Sequence, residues 1–307
     1  MKKVYLSFLL TLAYGCVSLA AFAQLSPQAV NQTELLKYQD SLTKTAATMY
    51  SAEANTQRFE QNAKFIKLLV TALKTPGSFN FGFDSLKTIS VVESPDHAFK
   101  IFSWYIPEEG GTYRFFGTIQ MATKDGKLKL YPLIDGTANL KDVNQLTTAK
   151  EWYGARYYEI IPLKIGGQKT CYALLGWKGN NQKTSKKVIE ILSFNDTALS
   201  FGKPMFEAVK NTPLKNRIVF EYNKLNSMTL RLDKNEQLIV FDHLAPFDPE
   251  MLGNFEYYAS DSSFDGYRLV GNKLKLVENI ELKNDPNELD ELYVDPTKKD
   301  IPVTKKF

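Results

Sequence analysis

The sequence predicts an α+β protein in which an N-terminal helical hairpin is followed by a mainly antiparallel β domain. Two observations carry this prediction. Between residues 31 and 75, apolar residues recur at steps of three and four, which is the period of an amphipathic helix. From residue 79 onward, short apolar and aromatic runs alternate with segments rich in Gly, Asn and Asp, which is typical of strands joined by tight turns.

Residues 24–78 form the predicted helical segment. It contains two apolar stripes, and the residues between them, 51–55, predict a short turn that joins two helices. Pro76 and Gly77 end the second helix, since neither residue continues a helix well. The stripes are Leu35, Tyr38, Leu42, Ala46 and Met49 in the first helix and Phe59, Ala63, Ile66, Val70 and Leu73 in the second.

Residues 79–283 form the predicted β domain. Gly110 and Gly111 lie between two apolar runs, and Gly166 and Gly167 lie between two others, which predicts tight hairpins. Parallel sheets need long crossover connections, usually helical, and few helical windows follow residue 80. The domain is therefore predicted to be antiparallel, and a sandwich, an open barrel and a propeller-like meander all fit the pattern.

Two segments of the β domain resemble each other. Residues 99–104 and 172–177 each contain an aromatic residue, central apolar residues, a small residue and a Trp. The offset from residue 99 to residue 172 is 73 positions, which is longer than a propeller blade of about 40–50 residues. A duplicated three-stranded unit and a chance similarity both fit this observation.

The first 23 residues predict a signal peptide. Two lysines precede an uncharged, mostly apolar run at 4–20, and residues 21–23 match the A-x-A cleavage pattern. A membrane anchor and a lipoprotein acylated at Cys16 are the alternatives, and Tyr14 weakens both. We therefore expect an exported protein, periplasmic or extracellular, with no transmembrane span after cleavage. At the other end, residues 284–307 predict a polar tail.

The charge balance excludes one class of partner. Lys and Arg total 38 and Asp and Glu total 34, so the formal net charge is +4. Cleavage after residue 23 removes two lysines and leaves 36 against 34, or +2. An electrostatic grip on nucleic acid needs several clustered cations, so we expect no nucleic-acid partner. Cleavage also leaves Cys171 as the only cysteine, and we expect it to be a buried thiol.

The common catalytic and cofactor motifs do not occur in the sequence. It contains no G-x-S-x-G, H-E-x-x-H, C-x-x-C, G-x-G-x-x-G or P-loop pattern, and we predict no cofactor. One segment, 261–266, could bind calcium through the carboxylates of Asp261 and Asp265. Its spacing does not fit an EF-hand, and an Asx-type turn between strands is the alternative.

Aromatic residues supply the main functional prediction. They make up 13% of the chain, and exposed aromatic rings beside polar groups can stack on sugars or anchor a protein partner. Pairing across neighbouring strands is the alternative use of these residues. The predicted ligand-binding residues are Trp152, Tyr153, Tyr157, Tyr257 and Tyr258.

These observations predict a non-enzymatic binding module that uses aromatic loops to hold a protein or glycan partner. The alternative is a hydrolase of envelope or extracellular polymers, in which two carboxylates act as acid and base. The sequence singles out no pair among the strand carboxylates, which are Glu159, Glu190, Glu221 and Asp242.

Most of the chain after residue 23 resembles exported proteins of Bacteroidota for which no activity is known. The resemblance implies a Gram-negative envelope setting, and it implies no activity, substrate, cofactor or functional residue. It rests on the signal peptide and on four segments with strand-like and turn-like patterns, which are 79–86, 99–104, 172–177 and 260–267.

Overall fold

The computed structural model describes residues 27–166, 169–195, 198–208 and 212–282. The predicted signal peptide and the predicted polar tail lie outside these residues. Within them, two long helices precede three sheets that are built almost entirely from antiparallel strand pairs. The predicted α+β class, with a helical hairpin before an antiparallel β domain, is therefore confirmed.

The hairpin consists of α1 (Pro27–Ser51) and α2 (Asn55–Lys74). The predicted stripe of α1 packs into the core. In α2 the buried face contains Phe65 and Leu69, whereas Ile66 of the predicted stripe is exposed. The buried residues and the predicted stripe of α2 both recur at steps of three and four, so periodicity alone does not show which of the two faces is buried. No helix in the described part of the chain has the length and apolar content that crossing a membrane requires.

The first sheet is an antiparallel meander in the order β1-β2-β3-β4. Its second strand is buried on both faces. Phe102 and Trp104 pack against the helical hairpin, and Phe99 and Ile101 pack in the opposite direction. The strands are β1 (Ser90–Glu93), β2 (Phe99–Pro107), β3 (Tyr113–Met121) and β4 (Leu130–Ile134).

The middle sheet has the order β5-β9-β8-β7-β6, and β11 pairs with β8 on the same side as β9. Its strands, with β10 of the third sheet between them in sequence, are β5 (Thr147–Thr148), β6 (Arg156–Ile165), β7 (Lys169–Gly179), β8 (Thr184–Phe194), β9 (Leu199–Phe201), β10 (Phe206–Glu207) and β11 (Arg217–Asn223). Leu174 faces the first sheet, and Cys171 and Ala173 face the third. A strand covered on both faces is apolar almost throughout. The Cys171 thiol is buried, and burial raises its pKa to about 11.

The third sheet has the order β10-β15-β14-β13-β12, in which only β10 and β15 pair in parallel. Its remaining strands are β12 (Leu230–Asp233), β13 (Leu238–Pro246), β14 (Tyr258–Val270) and β15 (Lys273–Val277). Short 3₁₀ helices occupy Ser78–Asn80, Glu109–Gly111, Thr137–Asn139, Ala149–Glu151, Pro249–Met251 and Phe255–Tyr257.

The helices and the three sheets form successive layers, because one hydrophobic cluster lies between each pair of neighbours. Each sheet contains a run of strands that are consecutive in sequence and antiparallel, and these runs begin with β1, β6 and β12. The three strands are linked by hydrogen bonds. Ser90 of β1 donates to the Tyr157 carbonyl of β6, and the Tyr158 hydroxyl of β6 donates to the Leu230 carbonyl of β12 at 2.9 Å. Stacked open meanders of this kind resemble a sandwich or a propeller more than a barrel.

The two similar sequence segments occupy equivalent places in this stack. Residues 99–104 lie in β2 and residues 172–177 lie in β7, which are the second strands of their meanders. The rings of Phe99 and Tyr172 contact each other edge to face at 4.8 Å between centroids. The shared pattern therefore marks strands that are covered on both faces.

Candidate functional site

Three of the predicted ligand-binding residues lie in the core. Trp152, Tyr153 and Tyr157 are 0, 2 and 0% exposed, and they pack between the first and middle sheets. The expectation of an exposed aromatic platform at these positions is therefore wrong. The rings fill the space between two sheets, which is the structural use of large aromatic side chains.

Tyr157 and Trp152 belong to a buried polar network centred on Glu190. Trp152 Nε1 donates to the Tyr157 hydroxyl at 2.8 Å, and this hydroxyl donates to Glu190 Oε2. Arg217 donates to Glu190 Oε1 from Nε and Nη2, at 2.8 and 2.6 Å. Neither the Glu190 side chain nor the Arg217 side chain has exposed surface, so each buried charge depends on the other for compensation.

Arg217 also fixes the segment that leads into β5. Its Nη1 donates to the carbonyls of Val143 and Gln145, the latter at 2.7 Å, and its Nη2 donates to Thr147 Oγ1 at 3.1 Å. Together with the two bonds to Glu190, these contacts use all five N–H donors of the guanidinium. An arginine with every donor used inside the protein has a structural role.

Lys178 is a second buried cation beside this network. Its Nζ donates to the carbonyls of Tyr153 and Gly154, at 2.6 and 2.8 Å. It lies 4.4 Å from the Tyr153 ring centroid and 4.6 Å from that of Phe115. Burial lowers the pKa of Lys178 to about 8, although the negative charge of Asp135 acts in the opposite direction.

This lowered pKa predicts a pH dependence of stability. Between about 8 and the ordinary lysine value of 10.5, the unfolded chain binds more protons at this position than the folded chain does. The contribution of Lys178 to the free energy of unfolding therefore rises with pH in that interval. We expect this contribution to rise by about 1–2 kcal/mol between about pH 7.5 and pH 9.5. Burial raises the pKa values of Cys171 and Tyr267, and such groups act in the opposite direction as pH rises, equally in wild type and in a Lys178 variant.

The measurement is urea unfolding at both pH values, for the wild type and for Lys178→Met. Between the two pH values, the free energy of unfolding of the wild type is expected to gain about 1–2 kcal/mol relative to that of the variant, because Met does not titrate and the other titrating groups are common to both proteins. An equal change with pH in the two proteins would contradict the assignment to Lys178.

The four carboxylates considered for hydrolysis all accept hydrogen bonds within the fold. Glu159 and Asp242 each accept from a backbone N–H in or next to β12, both at about the usual length. Glu221 pairs with a lysine at 3.1 Å, and Glu190 holds Arg217. These contacts give each carboxylate a structural role, and the hydrolase alternative stays a prediction.

The predicted calcium ligands lie on a strand and not in a loop between strands. Asp261 and Asp265 belong to β14, where residues 261–263 bulge opposite the single residue His243 of β13. Asp265 is buried and accepts from His243 Nδ1 at 2.8 Å, whereas Asp261 accepts from the backbone of Ser263 at 2.9 Å. Among the residues with described positions, no group of three or more His, Cys, Asp or Glu side chains is arranged to hold a metal.

An exposed loop, 247–257, connects β13 to β14. Of the remaining predicted residues, Tyr257 ends this loop and Tyr258 begins β14. This loop carries four large hydrophobic side chains on its surface. Their exposed fractions are 66% for Phe247, 79% for Leu252, 41% for Phe255 and 37% for Tyr257. We call these four residues the apolar loop surface.

Hydrogen bonds within the loop hold the apolar loop surface in place. The Phe247 N–H donates to the Tyr257 carbonyl at 2.9 Å and joins the two ends of the loop. The side chain of Asp248 caps the short helix that follows it. The Gly253 N–H donates to the hydroxyl of Tyr258 at 3.0 Å. Tyr258 is buried and supports the loop, so of the two predicted residues only Tyr257 is available to a ligand.

The turn between β11 and β12 lies beside the apolar loop surface. Asn223 Nδ2 donates to the Glu256 carbonyl, and Leu225, two residues further on, is 95% exposed. Lys183 pairs with the Glu256 carboxylate at 2.7 Å. Charged groups therefore border a concentration of exposed apolar side chains at this end of the molecule.

Phe247, Leu252 and Phe255 are not among the residues predicted from the sequence to bind a ligand. A signal for them was present, because these large apolar residues are interspersed with Asp, Pro, Gly and Asn in a segment without helical or strand periodicity. Such turn-forming residues predict a loop, and loops lie on the surface. Large apolar residues in a predicted loop therefore indicate exposed hydrophobic surface.

No protein-family model, no curated protein and no solved structure matches the chain.

Proposed function

We propose that the protein is an exported, non-enzymatic binding module whose apolar loop surface contacts an apolar surface of a protein partner. The observation that supports this most strongly is the exposure of Leu252 and Phe247 on a loop fixed by its own hydrogen bonds. Single exposed apolar residues are normal, but their concentration in one loop is a feature of interaction sites. The signal-peptide pattern of residues 1–23 supports the exported setting.

The order of the loop favours tight binding. A partner that binds a preformed loop does not have to overcome the entropy of ordering it. Each Å² of apolar surface removed from water contributes about 25 cal/mol. Side chains as exposed as Leu252 and Phe247 can therefore become binding hot spots once they enter a pocket of the partner.

A protein partner fits this surface better than a glycan does. Sugar rings stack on flat aromatic faces beside hydrogen-bonding groups. Of the three exposed rings Phe247, Phe255 and Tyr257, only Tyr257, the least exposed, carries a hydrogen-bonding group of its own. The two most exposed side chains at this end, Leu225 and Leu252, are branched and aliphatic. Branched aliphatic side chains pack into the apolar pockets of proteins, and the charges of Lys183 and Glu256 at the rim can set the orientation.

The test uses the double variant Phe247→Ser/Leu252→Ser, in which serine replaces the two most exposed residues of the loop. A partner is first isolated by crosslinking in envelope extract, and its affinity for purified wild type and variant is then measured by calorimetry. We expect the variant to bind at least about tenfold more weakly, because two exposed anchors are removed. Its free energy of unfolding should change by less than about 1 kcal/mol, because both side chains are on the surface.

A matched control is Leu36→Ser with Val270→Ser, which changes two apolar residues of 47 and 46% exposure elsewhere on the surface. This control should bind the partner like the wild type. Equal loss of affinity in both double variants, or a glycan that binds through Tyr257 on an array while no protein binds, would overturn the proposal.

A further inference from the structure

One cation of the fold differs from the others in its surroundings. The charged groups of the buried residues Arg217 and Lys178 donate hydrogen bonds to acceptors in the protein. Lys100 pairs with a glutamate at 3.0 Å. Arg156, at the start of β6, is half-buried and its Nε is shielded from solvent. Over the residues whose positions are described, the side chain of Arg156 makes no hydrogen bond and no ion pair.

Arg156 lines a cavity of about 300 Å³ that lies between β6 and the segment 82–92. Tyr158 is two residues further along β6 and lines the same cavity. Its ring is held by the hydrogen bond from its hydroxyl to the Leu230 carbonyl. The half-buried Val91 and Val92 contribute apolar surface from the opposite side.

The Nε of Arg156 is a buried donor that the protein leaves unused. The described residues contain five buried side-chain polar atoms without a protein partner, and Arg156 Nε is the one that belongs to a residue lining this cavity. More than about 90% of buried polar groups in proteins are hydrogen-bonded, so the unused donor of a cationic side chain at a cavity indicates a polar ligand.

We propose that Arg156 binds the carboxylate of a small monoanionic ligand whose apolar part lies in the same cavity. The planar guanidinium matches a carboxylate in a bidentate arrangement. The cavity volume is at the lower end of small-molecule sites, which suits a short-chain or aromatic acid. The charged side chains of the lining are Arg156, Lys87 and Asp84, a sum of +1. That sum favours a monoanion over a phosphate dianion.

The test uses two acids, hexanoate and benzoate, titrated into the full-length purified protein by calorimetry. Benzamide is the neutral analogue and inorganic phosphate is the competing anion. We expect at least one acid to bind with a dissociation constant on the order of 1 mM or tighter, and benzamide and phosphate to bind more weakly. Arg156→Gln should weaken acid binding by about 10-fold to 100-fold. Arg156→Lys, which keeps the charge but loses the bidentate geometry, should fall in between.

Arg114→Gln is the matched control, because Arg114 is an exposed arginine of β3, and it should bind the acids like the wild type. In the absence of acid, Arg156→Gln should be at least as stable as the wild type, because it removes a half-buried charge without a partner. The proposal fails if neither acid binds, if Arg156→Gln binds the acid unchanged, if phosphate binds more tightly than both acids, or if Arg156→Gln strongly lowers the unfolding temperature.

Discussion

Replacing Arg217 with Met is expected to lower the free energy of unfolding by about 3–5 kcal/mol. The variant leaves the Glu190 carboxylate in a site without exposed surface and removes both of its N–H donors from Arg217. It also removes the donors to the carbonyls of Val143 and Gln145. Met matches the length of the arginine stem, so loss of packing contributes little. The measurement is urea unfolding followed by tryptophan fluorescence at neutral pH.

Two further variants separate the buried pair from surface charge. Arg231 pairs with Asp233 at 3.6 Å and its side chain is half-exposed, so Arg231→Met should cost no more than about 1 kcal/mol. Changing both Arg217 and Glu190 to Met should recover part of the loss, because no buried charge then lacks a partner. If Arg217→Met is as stable as Arg231→Met, the buried pair does not stabilise the fold as described.

The sequence was sufficient to predict the element types of this fold. Helical periodicity and the Pro76-Gly77 stop predicted the hairpin, and glycine pairs at 110–111 and 166–167 predicted strand turns. Each of these signals acts between residues close in sequence, where period and backbone conformation are nearly determined by residue type. The buried face of α2 was predicted less well, because Phe65 and Ile66 are adjacent and the choice between them depends on the sheet that packs against the helix.

The polar network could not be predicted from local signals. Arg217 and Glu190 are direct partners across β11 and β8, and that pairing depends on the register of two strands separated in sequence. A shift of one residue would place the two charges on opposite faces of the sheet. Glu190 therefore resembled any strand carboxylate in the sequence, although it compensates a fully buried arginine in the structure.

Local sequence signals also do not show which aromatic residues belong to the candidate site. Trp152 and Tyr257 both lie in short aromatic clusters next to polar residues, yet one is fully buried and the other belongs to the apolar loop surface. Residue type does not distinguish them, because large aromatic side chains stabilise both cores and interfaces. What separates them is the position of the first sheet, which covers Trp152 and leaves the β13–β14 loop open.

Trp152→Ala is accordingly expected to act on stability, with a loss of about 3–5 kcal/mol. The side chain is fully buried between two sheets, so its removal leaves a large cavity that the paired strands on either side cannot close. The hydrogen bond to the Tyr157 hydroxyl at 2.8 Å is lost as well. The measurement is urea unfolding under the conditions used for Arg217→Met.

Trp152→Phe separates the loss of ring volume from the loss of the N–H donor. Tyr257→Ala is the control for an exposed ring. Phe keeps most of the ring volume and loses the N–H donor, so it should cost clearly less than Ala does. Tyr257→Ala removes an exposed ring and should cost less than about 1 kcal/mol, but it should weaken partner binding. If Trp152→Ala were as stable as the wild type and reduced binding instead, Trp152 would belong to the binding surface and the buried position between the sheets would be wrong.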